Sequence, residues 1–364
     1  MRVHGERGRG DVSPNPMKPK NDGYIYSIQT HLKAVRVHKL KAEEVRKFAE
    51  RIGAKDKNRL VVCRGDYVEI PIYDGFESYF EGYEIVEQEE PVFAKKADLY
   101  EILKGKIPKE LWDYIPRRYK IIGDVILIKI PNELEEYKRL IGETLLSIHK
   151  RCKSVWRDLG REGMLRKPKV ELIAGSGSET VHKENGCLFK LDVTKVMFSV
   201  GNQGERMRIV KLVQDGEVVV DMFAGIGYFT IPIAVHTKAK KIYAIEINPD
   251  SYFYLLENIK LNDVRNVIPI LGDSMHVTPE CVADRVVMGH IFCHEFLPIA
   301  IKALKNDGYI HYHESVPEVI INRPIERIKR ACESLGRNVK VENFRKVKNY
   351  SPGVLHVVVD AYVY

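Results

Sequence analysis

The sequence predicts an α/β protein whose C-terminal part contains a doubly wound, mainly parallel β-sheet. From Val210 onward, short apolar runs alternate with helical stretches, as in "EVVVDMFA", "KIYAIEI", "VIPILGD", "DRVVMGH" and "GYIHYHE". Runs that are apolar on both faces are typical of parallel strands covered by helices on each side. The final "GVLHVVVDAYVY" alternates instead, which favours an antiparallel hairpin at the edge of the sheet.

The composition indicates an ordinary globular protein with a modest excess of positive charge. The chain has 364 residues, 45% hydrophobic and 30% charged, and a net charge of +8. No run approaches the ~18 apolar residues of a membrane span, and "MRVHGERGRGDVSPNPMKPKND" lacks the apolar core of a signal peptide. We therefore expect a disordered basic leader over 1–23 and a cytoplasmic protein. The six cysteines include no CxxC pair, so we expect them to be reduced.

Two smaller α+β domains are predicted ahead of the parallel sheet. The first spans 24–92, where "KAEEVRKFAERIG" has the apolar spacing of a helix and "RLVVC" and "YVEIPI" predict strands. The second spans 93–204, and the cofactor-binding domain spans 205–364. In the second, Asn132 and Glu135 have the spacing of a helix-capping box, and "TVHKENGCLFKLDV" predicts a hairpin on its Asn-Gly turn.

The stretch "VVVDMFAGIGYFTIPIA" predicts a ligand-binding turn between a strand and a helix. Two glycines allow a tight turn and a close approach of ligand to backbone. Glu246 follows Gly225 by twenty-one residues and ends the second strand, where a carboxylate can bind both ribose hydroxyls of a nucleoside. Asp273 ends the third strand, where it can meet an adenine amino group. The candidate cofactor-binding residues of this part are Asp221, Gly225, Gly227, Glu246, Asp273 and Ser274.

The glycine loop departs from a dinucleotide-binding turn. Phe229 and Thr230 stand near the place of the third glycine of G-x-G-x-x-G, which disfavours a pyrophosphate ligand. A glycine pair with one acidic residue after each of three strands resembles the S-adenosylmethionine pocket of the class I methyltransferase-like, Rossmann-like fold. The alternative is that the three carboxylates only cap helices.

A basic section around Trp156 is a candidate RNA-binding surface. Clustered cations beside an aromatic ring suit a phosphate backbone with base stacking, whereas a solvated basic face is the simpler alternative. The candidate RNA-binding residues are Lys150, Arg151, Lys153, Arg157 and Arg166.

The run "REGMLRKPKVELIAGSGSETVHKENGCLFKLDVTKVMFS", continued by "GERMRI" and "DMFAGIGYFTIPIA", resembles a family that modifies the purine just 3′ of the anticodon in tRNA. The family includes tRNA guanine-N1 methyltransferases and the aminocarboxypropyltransferase of the wyosine pathway. The resemblance covers nearly the whole chain after the leader and implies S-adenosylmethionine and tRNA as ligands. It also implies that Ser199 and Arg206 contact the methionine part of the cofactor, that Glu246 holds the ribose and that Asp273 lies beside the adenine.

The loop after the fourth strand, "GHIFCHEF", lacks the asparagine that the methyltransferases carry there in an Asn-Pro-Pro-Tyr or Asn-Leu-Pro-type motif. Gly289 occupies that position and is a further candidate cofactor-binding residue. In this it resembles the archaeal wyosine-pathway transferase, which implies transfer of the aminocarboxypropyl group to C7 of 4-demethylwyosine in tRNA(Phe), with release of methylthioadenosine. We expect a monomer.

His290 and Glu295 are candidate catalytic residues of this loop, to orient the base or remove its proton; the alternative is a purely structural role. A zinc site is disfavoured because structural zinc ligands usually come in pairs from two loops, and we expect no metal. Its candidate ligands would be His290, Cys293, His294 and either His311 or His313. Two other functions stay open: a guanine-N1 methyltransferase with a divergent loop, and a non-catalytic RNA-binding module.

Overall fold

The computed structural model describes residues 32–93, 98–163 and 167–364, so the predicted leader lies outside the described residues. The chain divides into two compact units, Met1–Lys96 and Ala97–Tyr364. The division lies close to the predicted limit at 92, whereas the further boundary at 204 stays a prediction. Within the described ranges, no helix is both long and apolar enough to cross a membrane.

The first unit is a four-stranded antiparallel sheet with one helix. Its sheet order is β2-β3-β1-β4, and α1 covers one face with Val45 and Ala49 buried. The helix and both strands predicted here are confirmed. The elements are β1 (Lys33–His38), α1 (Lys39–Arg51), β2 (Val62–Arg64), β3 (Tyr67–Pro71) and β4 (Glu84–Glu87).

The second unit begins with a smaller mixed sheet of order β5-β6-β7-β8, in which β6 and β7 run parallel. The predicted capping box is wrong, because Asn132 lies inside a 3-10 turn that starts after Pro131 and precedes the α-helix. The elements are α2 (Leu99–Lys104), β5 (Tyr119–Ile122), β6 (Val125–Ile128), α3 (Lys138–Ile148), β7 (Ser154–Glu162) and β8 (Lys167–Gly175).

The predicted hairpin is confirmed, with positive φ at Asn185 (48°) and Gly186 (78°). It leads into the large sheet through a helix that carries part of the candidate site. The elements are β9 (Glu179–Glu184), β10 (Cys187–Asp192) and α4 (Gln203–Leu212).

The large sheet has seven strands in the order β13-β12-β11-β14-β15-β17-β16. The first five of these are parallel, and the last two form the antiparallel edge hairpin predicted from the alternating C-terminus. This order is that of the class I methyltransferase-like fold, so the predicted fold class is confirmed. The elements are β11 (Val218–Asp221), α5 (Thr230–His236), β12 (Lys241–Glu246), α6 (Pro249–Leu261), β13 (Val267–Leu271), α7 (Ser274–Val277), β14 (Ala283–Met288), α8 (Leu297–Ala303), β15 (Leu304–Pro317), α9 (Arg323–Ser334), β16 (Val339–Ser351) and β17 (Val354–Val363).

The smaller sheet, the β9–β10 hairpin and the large sheet share one apolar core. Ile122 from β5, Phe189 from β10 and Tyr254 from α6 belong to the same buried cluster. Asn258 of α6 and Asn262, which follows the helix, bind the backbone of β10. Asn258 accepts from the Lys190 N–H at 2.6 Å, and Asn262 donates to and accepts from Leu188. These bonds fix the hairpin along α6.

Candidate active site

The turn after β11 requires glycine at two positions. Gly225 and Gly227 have φ of 58° and 99°, a region that side chains rarely adopt. A Cβ at Gly225 would lie 2.5 Å from the Tyr228 ring, and one at Gly227 would lie 2.5 Å from Ile231. The loop therefore exposes backbone where a ligand can approach it closely, as the sequence pattern predicts.

Asp221 holds this loop from inside. Its side chain is fully buried, accepting a hydrogen bond from the Thr230 hydroxyl at 2.7 Å and from the Phe223 N–H at 3.3 Å. Burial raises the pKa of Asp221 to about 6. Since its carboxyl is fully buried and bonded inside the loop, Asp221 shapes the loop, and its contact with the cofactor stays a prediction.

Glu246 ties the end of β12 to the glycine loop. One carboxylate oxygen accepts from the Gly225 N–H at 2.8 Å and the other from the Asn248 N–H at 2.7 Å. Burial raises the pKa of Glu246. Each oxygen keeps a second lone pair, so the carboxylate can still accept from ribose hydroxyls.

The end of β13 lies at the same edge of the sheet, and the residues at the ends of β11, β12 and β13 are together called the candidate pocket. The Gly272 N–H donates to the Glu246 carbonyl at 3.0 Å, and the Ser274 hydroxyl donates to the Met222 carbonyl. Ser274 is buried, so its hydroxyl fixes the loop, while Asp273 is half-buried and caps α7 by accepting from the Met275 N–H at 2.9 Å. The ends of three strands are therefore brought together, and their donor set fits a nucleoside better than a metal.

Arg206 lies in a buried ion pair with the β9–β10 hairpin. Its guanidinium is 2% exposed, donates to the Glu184 carboxylate and to the Ser199 carbonyl at 2.8 Å, and lies 5.1 Å from the Tyr228 ring centre. These two bonds leave further N–H donors of the guanidinium, so contact of Arg206 with the methionine part of the cofactor stays a prediction. Ser199 is half-buried at the start of a 3-10 turn, Val200–Asn202.

Two polar residues of β9 were not predicted from the sequence as candidate site residues. His182 and Glu184 face inward, while Val181, the neighbour of His182 in β9, is 47% exposed, an inversion of the usual alternation. The His182 Nε2 and a Glu184 carboxylate oxygen are buried, 3.9 Å apart, and have no hydrogen-bond partner among the described residues. Such unsatisfied groups are costly unless water or a ligand meets them, and inward polar positions of a hairpin are the signal that could have identified them.

The loop after β14 packs against the glycine loop. A Cβ at Gly289 would lie 2.6 Å from the Phe229 ring, so the chain leaves no room for a side chain there. His290 is half-buried, with its ring 5.6 Å from that of Phe223 and 5.8 Å from that of Phe292. Glu295 is exposed in a single 3-10 turn, His294–Phe296. The structure therefore places His290 beside the cofactor loop and Glu295 at the surface.

The candidate zinc ligands have other roles. The buried Cys293 thiol donates to the His290 carbonyl at 2.7 Å, and burial raises its pKa. His311 lies 2.6 Å from Asp360, and His313 lies 2.9 Å from His356, and all four side chains are buried. Within the described part of the chain, no group of three or more histidine, cysteine or acidic residues could hold a metal ion.

The basic section divides into surface and buried cations. Lys150 and Arg151 are exposed, and Lys153 is exposed but donates to the Glu179 carbonyl at 2.6 Å and pairs with Asp124 at 3.1 Å.

Arg157 contradicts the expectation of RNA contact. It is 5% exposed, pairs with Glu135 and donates to the Ile130 carbonyl at 3.1 Å. Its guanidinium joins β7 to the segment before α3, because a charge on the inner face of a sheet needs internal partners. Arg166 lies outside the described residues.

Three family models match the chain in succession. Residues 34–81 match the tRNA methyltransferase 5 N-terminal domain, residues 99–178 the TYW2 N-terminal domain and residues 180–342 the TRM5/TYW2 methyltransferase domain. The first match lies in the first unit, the second covers the smaller sheet, and the third covers the hairpin and most of the large sheet.

Individual relatives cover most of the chain. It is 49% identical to the tRNA(Phe) (4-demethylwyosine(37)-C(7)) aminocarboxypropyltransferase of Methanocaldococcus jannaschii, over 67% of this chain and 97% of the relative. It is 38% identical to the tRNA (guanine(37)-N(1))-methyltransferase Trm5b of Pyrococcus abyssi, over 90% of this chain and 98% of that relative. The crystal structure of Pyrococcus horikoshii TYW2 in complex with MeSAdo superposes with a TM-score of 0.65 at 42% identity. The match covers 73% of this chain and 98% of that structure's chain.

Proposed function

The chain belongs to the TRM5/TYW2 family of tRNA-modifying enzymes, and we propose that it transfers the 3-amino-3-carboxypropyl group of S-adenosylmethionine to C7 of 4-demethylwyosine beside the anticodon of tRNA(Phe). The observation that carries the proposal is Gly289. Its missing side chain cannot supply an amide to the cofactor, and Phe229 fills the space that such a side chain would take. The relative from M. jannaschii and the MeSAdo complex of the P. horikoshii relative support the same reaction.

The chemistry is a substitution at carbon. When bound, S-adenosylmethionine supplies the γ-carbon of its methionine part: a bond forms from C7, the sulfur–carbon bond breaks, methylthioadenosine leaves, and C7 loses its proton. An electron-rich ring carbon needs modest help from a base, so positioning and exclusion of water supply most of the acceleration.

The chain's own residues divide this work. Glu246 binds the ribose hydroxyls and Asp273 the adenine amino group, while the glycine loop lets the backbone approach the cofactor. Ser199 borders the methionine part. His290, ring-packed against Phe223 of the cofactor loop, orients the base or accepts the C7 proton, and Glu295 assists from the surface of the same loop.

A labelling experiment tests the reaction. Precursor tRNA is incubated with S-adenosylmethionine labelled in the carboxyl carbon or, separately, in the methyl carbon. Carboxyl label in the RNA together with methylthioadenosine in solution is expected; methyl label in the RNA with S-adenosylhomocysteine would refute it. A tRNA carrying unmodified guanosine at the same position is the matched substrate control.

The catalytic pair has its own test. His290→Ala and Glu295→Gln are compared with His294→Ala, an exposed histidine of the same loop. We expect single-turnover transfer to slow in the first two variants and not in the control. Unchanged transfer in both would leave the loop with a structural role only.

A guanine-N1 methyltransferase is the second candidate. Residues 34–81 match the N-terminal domain of tRNA methyltransferase 5, and the P. abyssi methyltransferase aligns with 90% of the chain. Methyl label on the guanosine tRNA would establish that function.

The protein is further proposed to act as a cytoplasmic monomer, since its substrate is a tRNA and the second unit alone contains the candidate pocket. Light scattering of the purified protein checks the stoichiometry: a mass of twice 41.9 kDa would contradict it.

A further inference from the structure

Where the smaller sheet meets the large one, the charges of Lys120 and Arg161 act on the pKa of a third cation, Lys348. Lys120 lies on β5, Arg161 on β7 and Lys348 on β16. None of the three pairs with a carboxylate within residues 32–93, 98–163 and 167–364. Arg206, also near Lys348, differs because Glu184 neutralises it. The cluster of Lys120, Arg161 and Lys348 is called the interface cations below.

The sheet register directs Lys120 toward the cofactor domain. Lys120 pairs with Leu127, which pairs with Trp156, so the three side chains share one face. Leu127 and Trp156 pack against the buried cluster that includes Phe198. Lys120 is exposed at the rim of this contact.

Lys348 reaches the same rim from the other side. Its half-buried Nζ donates to the Asn202 side chain at 2.6 Å, in the turn that follows Ser199. Burial, followed by the positive charges of Arg206, Lys120 and Arg161, lowers the pKa of Lys348. Burial raises the pKa of Tyr228, and the positive charges of Arg206 and Arg161 partly oppose this rise. The positive charge therefore collects beside the turn after Ser199, where Lys348 binds Asn202.

We propose that the interface cations bind a backbone phosphate of the substrate RNA next to the nucleotide that is modified. Three uncompensated cations repel one another, and one phosphate relieves this repulsion. The exposure of Lys120 and Arg161 favours a macromolecular anion over the cofactor carboxylate, and the exposed Lys150 and Arg151 extend positive charge along the smaller sheet. A phosphate held by both sheets would fix the reactive base relative to the cofactor. The assignment rests on the proposed function for the identity of the RNA.

The test measures RNA affinity apart from catalysis. An anticodon stem-loop RNA of tRNA(Phe) is titrated against Lys120→Gln, Arg161→Gln and Lys348→Met at several salt concentrations. Each variant is expected to raise Kd about fivefold or more and to lower the slope of log Kd against log salt by about 0.7, the value for one lost contact to single-stranded nucleic acid. S-adenosylmethionine affinity by calorimetry and the unfolding midpoint are expected to stay unchanged.

Lys238→Gln and Arg265→Gln are the matched controls. Both side chains are more than 80% exposed and precede β12 and β13, at the opposite end of the parallel strands. If the controls lose as much RNA affinity as the three variants, the effect comes from net charge alone, and the proposal is overturned.

Neutral methylphosphonate linkages identify the phosphate. At one linkage, a methylphosphonate is expected to weaken RNA binding by the unsubstituted protein. In Lys348→Met the same methylphosphonate is expected to cause no further loss of RNA affinity. Unchanged RNA affinity in all three variants, or loss of S-adenosylmethionine affinity alone in Lys348→Met, would overturn the proposal. Methyl transfer in the labelling experiment would refute the transferase function and leave these RNA affinities as they are, so the two failures are distinguishable.

Discussion

Replacing Gly289 with alanine is expected to destabilise the protein through a single contact. The added Cβ would lie 2.6 Å from Phe229 Cε2 and 3.0 Å from Cδ2, against 3.4 Å or more in ordinary contacts. Phe229 is 6% exposed and its ring lies 5.7 Å from that of His313, so it cannot turn away into solvent. Overpacking of this kind costs about 1–3 kcal/mol in the free energy of unfolding.

Urea unfolding of Gly289→Ala measures this cost, with Gly204→Ala as the matched control. Gly204 lies in α4, and a Cβ there meets nothing within 4 Å. The control is expected to gain about 0.5–1 kcal/mol, because alanine is the better helix former. Aminocarboxypropyl transfer is expected to fall in the Gly289 variant, since the displaced ring lies between the glycine loop and the loop after β14.

A second substitution tests the stated cause. Phe229→Leu, a smaller side chain, is expected to recover part of the stability lost in Gly289→Ala, which appears as a coupling energy in a double-mutant cycle. If Gly289→Ala unfolds at the same urea concentration as the unsubstituted protein, or if Phe229→Leu adds its own cost without recovery, the steric reasoning is refuted.

Three further outcomes are expected. The raised pKa of Asp221, from 3.8 to about 6, favours the protonated form in the folded state. Its contribution to stability is therefore full below pH ~4 and is lost as the pH rises through ~6. In urea unfolding, Asp221→Asn should have the same free energy of unfolding as the unsubstituted protein near pH ~4 and a higher one, by up to about 3 kcal/mol, at pH ~7. Equal pH profiles would contradict this. Glu246→Gln should weaken S-adenosylmethionine binding at least about tenfold in calorimetry, because it removes charge-assisted hydrogen bonds; unchanged affinity would exclude it from the ribose site. Arg157→Met should lower the free energy of unfolding by about 1–3 kcal/mol without changing RNA affinity, whereas Lys150→Gln should weaken RNA binding, and the reverse pattern would restore Arg157 as an RNA contact.

The fold could be predicted because its signals are local. Buried parallel strands show as apolar runs, and the hairpin shows as an Asn-Gly turn with positive φ at Asn185 and Gly186. The capping box failed because its spacing also occurs inside a 3-10 turn, where Pro131 precedes Asn132 and the chain enters α3 a turn later. Spacing alone does not distinguish these two conformations.

The candidate site was predicted in part. Glycine and carboxylate at strand ends indicate a nucleoside pocket, because parallel strands bring their carboxyl ends to one edge. The sequence does not reveal which polar groups engage each other across elements. In the sequence, Arg157 and Arg206 are candidates for ligand binding because they are positively charged. In the structure they are buried in ion pairs with Glu135 and Glu184, which come from other segments of the chain.

The sequence by itself determined the fold class, the cofactor loop and the family resemblance, since each depends on residues close together in the chain. The tertiary structure alone decided which carboxyl groups are buried, as for Asp221, and which cations affect each other's pKa, as Lys120 affects Lys348. It also gave Gly289 a physical reason: the ring of Phe229, sixty residues earlier in the chain, occupies the place of its side chain. Such contacts depend on how the strands are ordered in the sheet, which no local pattern encodes.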